Sequence, residues 1–324
     1  MDDSTQEQVF HMSDILVLGG AHIDRRGRIA GATAPGASNP GTWKEEAGGG
    51  AFNCARSLAR LGHAVTMVSP RGGDAEGDAV AAAAAAAGVI DRPFTFLDRR
   101  TPSYTAIMER DGNLVIALAD MDLYRMFGPR RLAVRQVRDL FDAAGFLLTD
   151  ANLPEETLAA IAREAGRRDI RLAAIGISPA KVVRFKAILS SIDWLFMNEA
   201  EAQALTGAAP EDHRAWPAIM KAAGLAGGAI TRGGRELVAW DRSGAAFLTP
   251  PPLDRIGDVT GAGDGFAAGF VHARLHGGSL GDAVAHGAAS ARLALASEMA
   301  TAEDLTRALL MGTLALVPAA EIVL

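Results

Sequence analysis

Short, unbroken apolar runs recur along this chain, each ending in glycine or polar residues and followed by a longer mixed stretch. The first, Ile15-Leu16-Val17-Leu18-Gly19-Gly20, shows no polar alternation, which is the pattern of a strand buried on both faces. Runs at 64–69, 146–149, 172–175, 194–196, 228–230 and 237–240 predict further strands. Helices are predicted over 53–61, stopped by Gly62, and over 81–87, stopped by Gly88. Others begin at Pro154, near 181–189, and at Glu199, Gly263, Leu280 and Ala302. Strands alternating with helices imply a doubly wound, mostly parallel α/β sheet with helices on both faces. Two stretches break the alternation. Residues 22–46 are polar and rich in Gly and Pro, and residues 94–120 alternate with period two around Arg110-Asp111-Gly112-Asn113. They predict a small β-sheet lid inserted into one α/β domain spanning 13–316, after a polar extension at 1–12.

Composition narrows the function classes. At 324 residues, with 49% hydrophobic and 22% charged positions, the chain reads as a globular protein with a substantial core. A net charge of −6 argues against a nucleic-acid partner. The acidic N-terminus, with Asp2, Asp3 and Glu7, lacks the basic and apolar regions of a signal peptide. No apolar run reaches the ~18 residues of a membrane span, so a soluble cytoplasmic protein without a membrane partner is expected. The single cysteine, Cys54, excludes a disulfide within the chain and reads as a buried thiol. The histidines at 11, 63, 213, 272, 276 and 286 show no ligand spacing, and no role is expected of them.

The strongest chemical signal is Asp258-Val259-Thr260-Gly261-Ala262-Gly263-Asp264-Gly265-Phe266. Here a glycine-rich turn enters a predicted helix, whose first-turn N–H groups and dipole make an anion site. Small residues at 261–263 let the backbone approach a phosphate, and Asp264 stands where a base takes a proton from an attacking hydroxyl. Read alone, Gly-x-Gly-Asp is equally a helix N-terminus at which the dipole favours Asp. Asn198-Glu199-Ala200-Glu201 likewise has the form of a capping box. Thr231-Arg232-Gly233-Gly234 is a turn after a strand, and Gly48-Gly49-Gly50 leads into Asn53. Gly20-Ala21-His22-Ile23-Asp24 ends the first strand, where open α/β sheets place their ligand crevice. No G-x-G-x-x-G follows that strand, so a dinucleotide fold is rejected.

Together these runs closely resemble the PfkB, or ribokinase, family of carbohydrate kinases, from Ile15 to about Leu305. The resemblance implies a ribokinase-like fold that uses ATP and Mg²⁺ to phosphorylate a hydroxyl of a small-molecule sugar or nucleoside. It implies that Gly261, Ala262 and Gly263 form the anion hole and that Asp264 is the general base. Asp24, Gly48, Gly49 and Asn53 would bind the acceptor, and Asn198, Thr231, Gly233 and Gly234 the nucleotide. Glu201 would hold Mg²⁺ through water, and Asp258 would serve a monovalent cation such as K⁺.

Several short stretches resemble the pseudouridine kinases within that family: Ser38-Asn39-Pro40-Gly41, Ser103-Tyr104, Ala119-Asp120-Met121-Asp122, Asp150-Ala151-Asn152 and residues 294–298. They imply the 5′-hydroxyl of pseudouridine as acceptor and add Asn152 to the substrate residues. Three positions depart from the resemblance: Phe52 replaces a basic residue, Gly176 an Asp, and Glu236 a glycine. The alternatives are a kinase for a free sugar (ribose, fructose or a keto-deoxy sugar acid) and a non-catalytic nucleoside or sugar sensor on the same fold. The lid's exposed strands would allow a homodimer.

Overall fold

The computed structural model describes residues 14–253, 257 and 259–324. Its strands in chain order are β1 (Ile15–Leu18), β2 (His22–Ile29), β3 (Gly41–Gly48), β4 (Val65–Val68), β5 (Pro70–Gly72), β6 (Ile90–Asp91), β7 (Phe94–Phe96) and β8 (Ser103–Met108). They continue with β9 (Leu114–Asp120), β10 (Phe146–Asp150), β11 (Arg171–Ile175), β12 (Trp194–Asn198), β13 (Gly228–Thr231), β14 (Leu237–Asp241), β15 (Gly244–Leu248) and β16 (Glu321–Val323).

Ten strands form one sheet in the order β6-β4-β1-β10-β11-β12-β13-β14-β15-β16. Every pair from β6 to β13 is parallel, and the last three pairs are antiparallel. The unbroken apolar runs are explained by burial on both faces. Successive side chains of a strand point to opposite faces, so Ile15 and Val17 join one core while Leu16 and Leu18 join the other. The helices Gly50–Arg60, Ala262–Leu275 and Leu280–Ala296 cover the first face, and Glu155–Arg168 is among those covering the second. The chain leaves β1 for β4 on one side and returns to β10 on the other. That reversal puts a crevice at the C-terminal ends of β1 and β10, the place where such sheets bind ligands.

The lid is a separate four-stranded sheet, β3-β2-β8-β9. Its second half starts at Ser103, not at 94 as the periodicity predicts. Phe94–Phe96 pairs instead with Pro70–Gly72, where Phe94 packs at a tilt against buried Phe127 with ring centroids 5.3 Å apart. The main sheet also runs past the expected limit at 316, since Glu321–Val323 pairs with β15. The last helix, Arg307–Leu314, starts later than Ala302 because Thr306 caps it by accepting from the Leu309 N–H. The expected helix near 181–189 is a short helix, Pro179–Val182, followed by a 3₁₀ stretch, Val183–Ser191. Among the described residues no helix is long and apolar enough to cross a membrane.

Candidate active site

The crevice is a cleft of about 760 Å³ between the lid and the C-terminal ends of the parallel strands. Its organising residue is Asp150, fully buried at the end of β10. The carboxylate accepts from the Gly20 N–H at 3.1 Å, the Ala51 N–H at 3.1 Å, the Asn152 N–H at 3.0 Å and the Asn152 amide at 2.9 Å. One side chain thereby fixes the end of β1, the start of the helix Gly50–Arg60 and the orientation of Asn152.

The opposite wall is the N-terminus of the helix Ala262–Leu275. Gly261 precedes it with φ 78° and ψ −5°, and no side-chain cap is formed at this position among the described residues. A Cβ at Gly261 would run into the Ala300 carbonyl oxygen, so only glycine brings the chain into this turn. The first-turn N–H groups of Ala262 and Gly263 border the cleft, and a Cβ at Gly263 would meet nothing within 4 Å. This is an open, positively polarised helix end, the physical content of an anion hole.

Asp264 sits at this end, on the cleft wall. The Asn53 amide donates to Asp264 Oδ2 at 2.8 Å. Asn53 cannot be reversed, because its Oδ1 accepts from buried Arg56 at 2.7 Å. Burial pushes the Asp264 carboxyl up to about 7, against the Asn53 hydrogen bond, with Asp150, Glu201 and Asp24 adding to the rise. Such a group changes charge near neutrality, as suits a general base. Phe52 does not line the cleft: it is fully buried, and Arg56 lies over its ring at 4.8 Å from the centroid. Cys54, as expected, is fully buried, and burial raises its thiol well above the ordinary value.

On the lid side Asp24 is buried and faces the cleft. Its Oδ1 lies 3.2 Å from His22 Nε2, and His22 Nδ1 lies 2.8 Å from the Tyr124 hydroxyl. The consistent arrangement has Nε2–H donating to Asp24 and Tyr124 O–H donating to Nδ1. Gly49 borders the cleft, whereas Gly48 stands behind Asp24, where a Cβ would collide with Oδ2. Gly48 therefore admits the Asp24 carboxylate instead of contacting a ligand itself. Asn152 reaches the cleft, and its Oδ1 accepts from Lys181 at 2.7 Å. Lys181 is a cleft cation the sequence reading missed. It follows Pro179 in the helix Pro179–Val182, and only the fold brings it to Asn152.

On the remaining side Asn198, Glu201, Thr231 and Gly233 line the cleft, while Gly234 lies beyond it. Asn198 and Glu201 do form a capping box: the Asn198 side chain accepts from the Glu201 N–H, and Glu201 accepts from the Asn198 N–H and amide, all at 2.9 Å. The capping-box reading of this pair holds, and the buried Glu201 carboxylate also lines the cleft. A Cβ at Gly176 would lie 2.6 Å from Glu201 Oε2, so the space an Asp would need is filled by Glu201. The next residue, Ile177, is β-branched at φ 71°, a strained conformation beside the site. Glu236 is tied to His213 at 2.5 Å and to Arg214 at 2.8 Å, which accounts for a carboxylate in that turn. Asp258 lies outside the described residues.

The sequence profile described as pfkB family carbohydrate kinase matches residues 12–307. The chain belongs to the pfkB family of carbohydrate kinases. As a family member it is a phosphotransferase. It is 28% identical to a pseudouridine kinase of Escherichia coli over 296 residues, covering 90% of this chain and 93% of that one. It is similar to a carbohydrate kinase from Agrobacterium tumefaciens of known structure, 58% identical with a TM-score of 0.87, covering 96% and 100% of the two chains. An Arabidopsis thaliana ribokinase complexed with ribose and ATP shares the fold, with a TM-score of 0.81, 21% identity and coverage of 93% and 98%.

Proposed function

We propose that the chain transfers the γ-phosphoryl group of ATP to an alcohol of a sugar or nucleoside, with the 5′-hydroxyl of pseudouridine as its acceptor. The observation that carries this reading is Asp264, held by Asn53 at the mouth of the open helix end and poised to ionise near neutrality. The acceptor would lie between Asp24, Asn152 and Asp264. Its O–H proton passes to Asp264 as the oxygen–phosphorus bond forms and the bond from phosphorus to the ADP oxygen breaks. The N–H groups around Gly261–Gly263 stabilise the charge on the moving group. Asn198, Thr231 and Gly233 border the nucleotide side. The donor set there suits Mg²⁺ that keeps its waters, since the single carboxylate Glu201 is already braced by Asn198. A Mg²⁺ so held would offset phosphate charge.

A coupled ADP-release assay tests this against pseudouridine, uridine, adenosine, ribose, fructose and 2-keto-3-deoxygluconate. Preference for pseudouridine is expected, supported by similarity to the E. coli enzyme. Preference for a free sugar would overturn the acceptor but keep the kinase. Binding without turnover of any acceptor would point to a sensor.

Asp264 must be ionised to act, so kcat/KM for the acceptor should fall about tenfold per pH unit below about 7 and level off above it. The Asn53 hydrogen bond favours the ionised form. Asn53→Ala should therefore move the inflection to higher pH, whereas an unmoved inflection in a pH–rate profile would remove Asn53 from that role.

The same reading includes a homodimer through the lid. β9 is an edge strand exposing Leu114, Ile116 and Leu118, an apolar edge suited to a second copy. The double substitution Ile116→Lys and Leu118→Lys should convert the dimer to a monomer in sedimentation analysis.

A further inference from the structure

Three histidines scattered in sequence meet at the far end of the helix that carries Asp264. His63 follows the turn after the helix Gly50–Arg60, and His272 and His276 lie at the C-terminal end of Ala262–Leu275. One ligand nitrogen from each lies within 4.8 Å of the other two. His63 and His272 are buried, while His276 is exposed and opens the group to solvent. We propose that His63, His272 and His276 form a binding site for a divalent transition-metal ion of the zinc type, outside the cleft.

The chemistry fits in two respects. First, imidazole nitrogens favour zinc, nickel or copper over the oxygen-seeking Mg²⁺. Second, the tautomer of one ligand is already set: His276 Nδ1–H donates to the His272 carbonyl at 2.8 Å, which leaves Nε2 with its lone pair. His63 Nε2 and His272 Nδ1 are 2.9 Å apart and share one hydrogen-bond proton. Binding at those two atoms moves that proton within the imidazoles and releases none. The guanidinium of Arg307, which donates to the Leu61 carbonyl at 2.6 Å beside His63, opposes the ion by its charge. Asp264 and His276 are about 18 Å apart along one helix. A metal here would tie the helix bearing Asp264 to the turn that ends the helix bearing Asn53.

The test uses the full chain stripped with chelator and titrated with Zn²⁺ alone by calorimetry, in parallel with thermal unfolding. One saturating Zn²⁺ lost at least tenfold in affinity by His276→Ala and by His63→Gln, with His213→Ala unaffected, supports the site. No saturable Zn²⁺ binding, or equal affinity in His276→Ala, overturns it. His276 is exposed, so its variant decides the matter even where His63→Gln fails to fold.

Discussion

Asp264→Asn should lower turnover about 10²–10⁴-fold while leaving nucleotide affinity close to that of the parent. The exchange preserves size and preserves the contact with Asn53, because the introduced amide oxygen can accept the hydrogen bond now made to Oδ2. Its NH₂ group then occupies the place of Oδ1 and presents a donor to the acceptor hydroxyl. The loss is therefore one of proton acceptance, worth about 3–5 kcal/mol of barrier at that fold-change. The helix N–H groups at Gly261–Gly263 are untouched, so the phosphate site keeps its field. Steady-state turnover combined with a nucleotide titration separates the two effects. Near-normal turnover would remove Asp264 as the base, and equal loss of turnover and nucleotide affinity would assign it to phosphate binding.

The sequence made the local part of this molecule legible. Strands buried on both faces, such as Ile15–Leu18 and the Phe146–Leu148 start of β10, declare themselves because nothing polar interrupts them. The turn into Ala262–Leu275 is legible because its geometry demands glycine at 261 and small neighbours. What stayed hidden depends on partners distant along the chain. Phe94–Phe96 alternates like a lid strand, and its contacts with Phe127 and Arg131 and its pairing with Pro70–Gly72 assign it elsewhere. Phe52 stands at a position the resemblance marks as important, yet helical phase turns it into the core. Lys181 has no local signal, and its meaning comes from Asn152, 29 residues away. The histidine group is the extreme case, since His63 and His272 are separated by 209 positions.

Asp150→Asn is the substitution with the largest expected effect on stability, and it also reaches the chemistry. The carboxylate accepts from Gly20, Ala51 and Asn152 with both oxygens in use, and every donor is buried. The Gly20 N–H is shared by both oxygens, so an amide with its NH₂ in the place of Oδ1 leaves the Asn152 N–H unpaired, and the reverse orientation leaves the Ala51 N–H and the Asn152 amide unpaired. A buried donor left unpaired costs about 1–3 kcal/mol, and the better orientation leaves one, so a loss of about 1–3 kcal/mol in urea unfolding is expected. Two of the displaced segments, Gly49-Gly50 and Asn152, wall the acceptor end of the cleft, so KM for the acceptor should rise more than KM for ATP. Removing the charge has a second, separable consequence. Asp150 is one of the carboxylates that raise the Asp264 carboxyl, and without it the acid limb of the pH–rate profile should move to lower pH. A purely structural Asp150 would destabilise the fold without moving that limb. An unchanged unfolding midpoint would mean that the crevice is held open by its backbone alone.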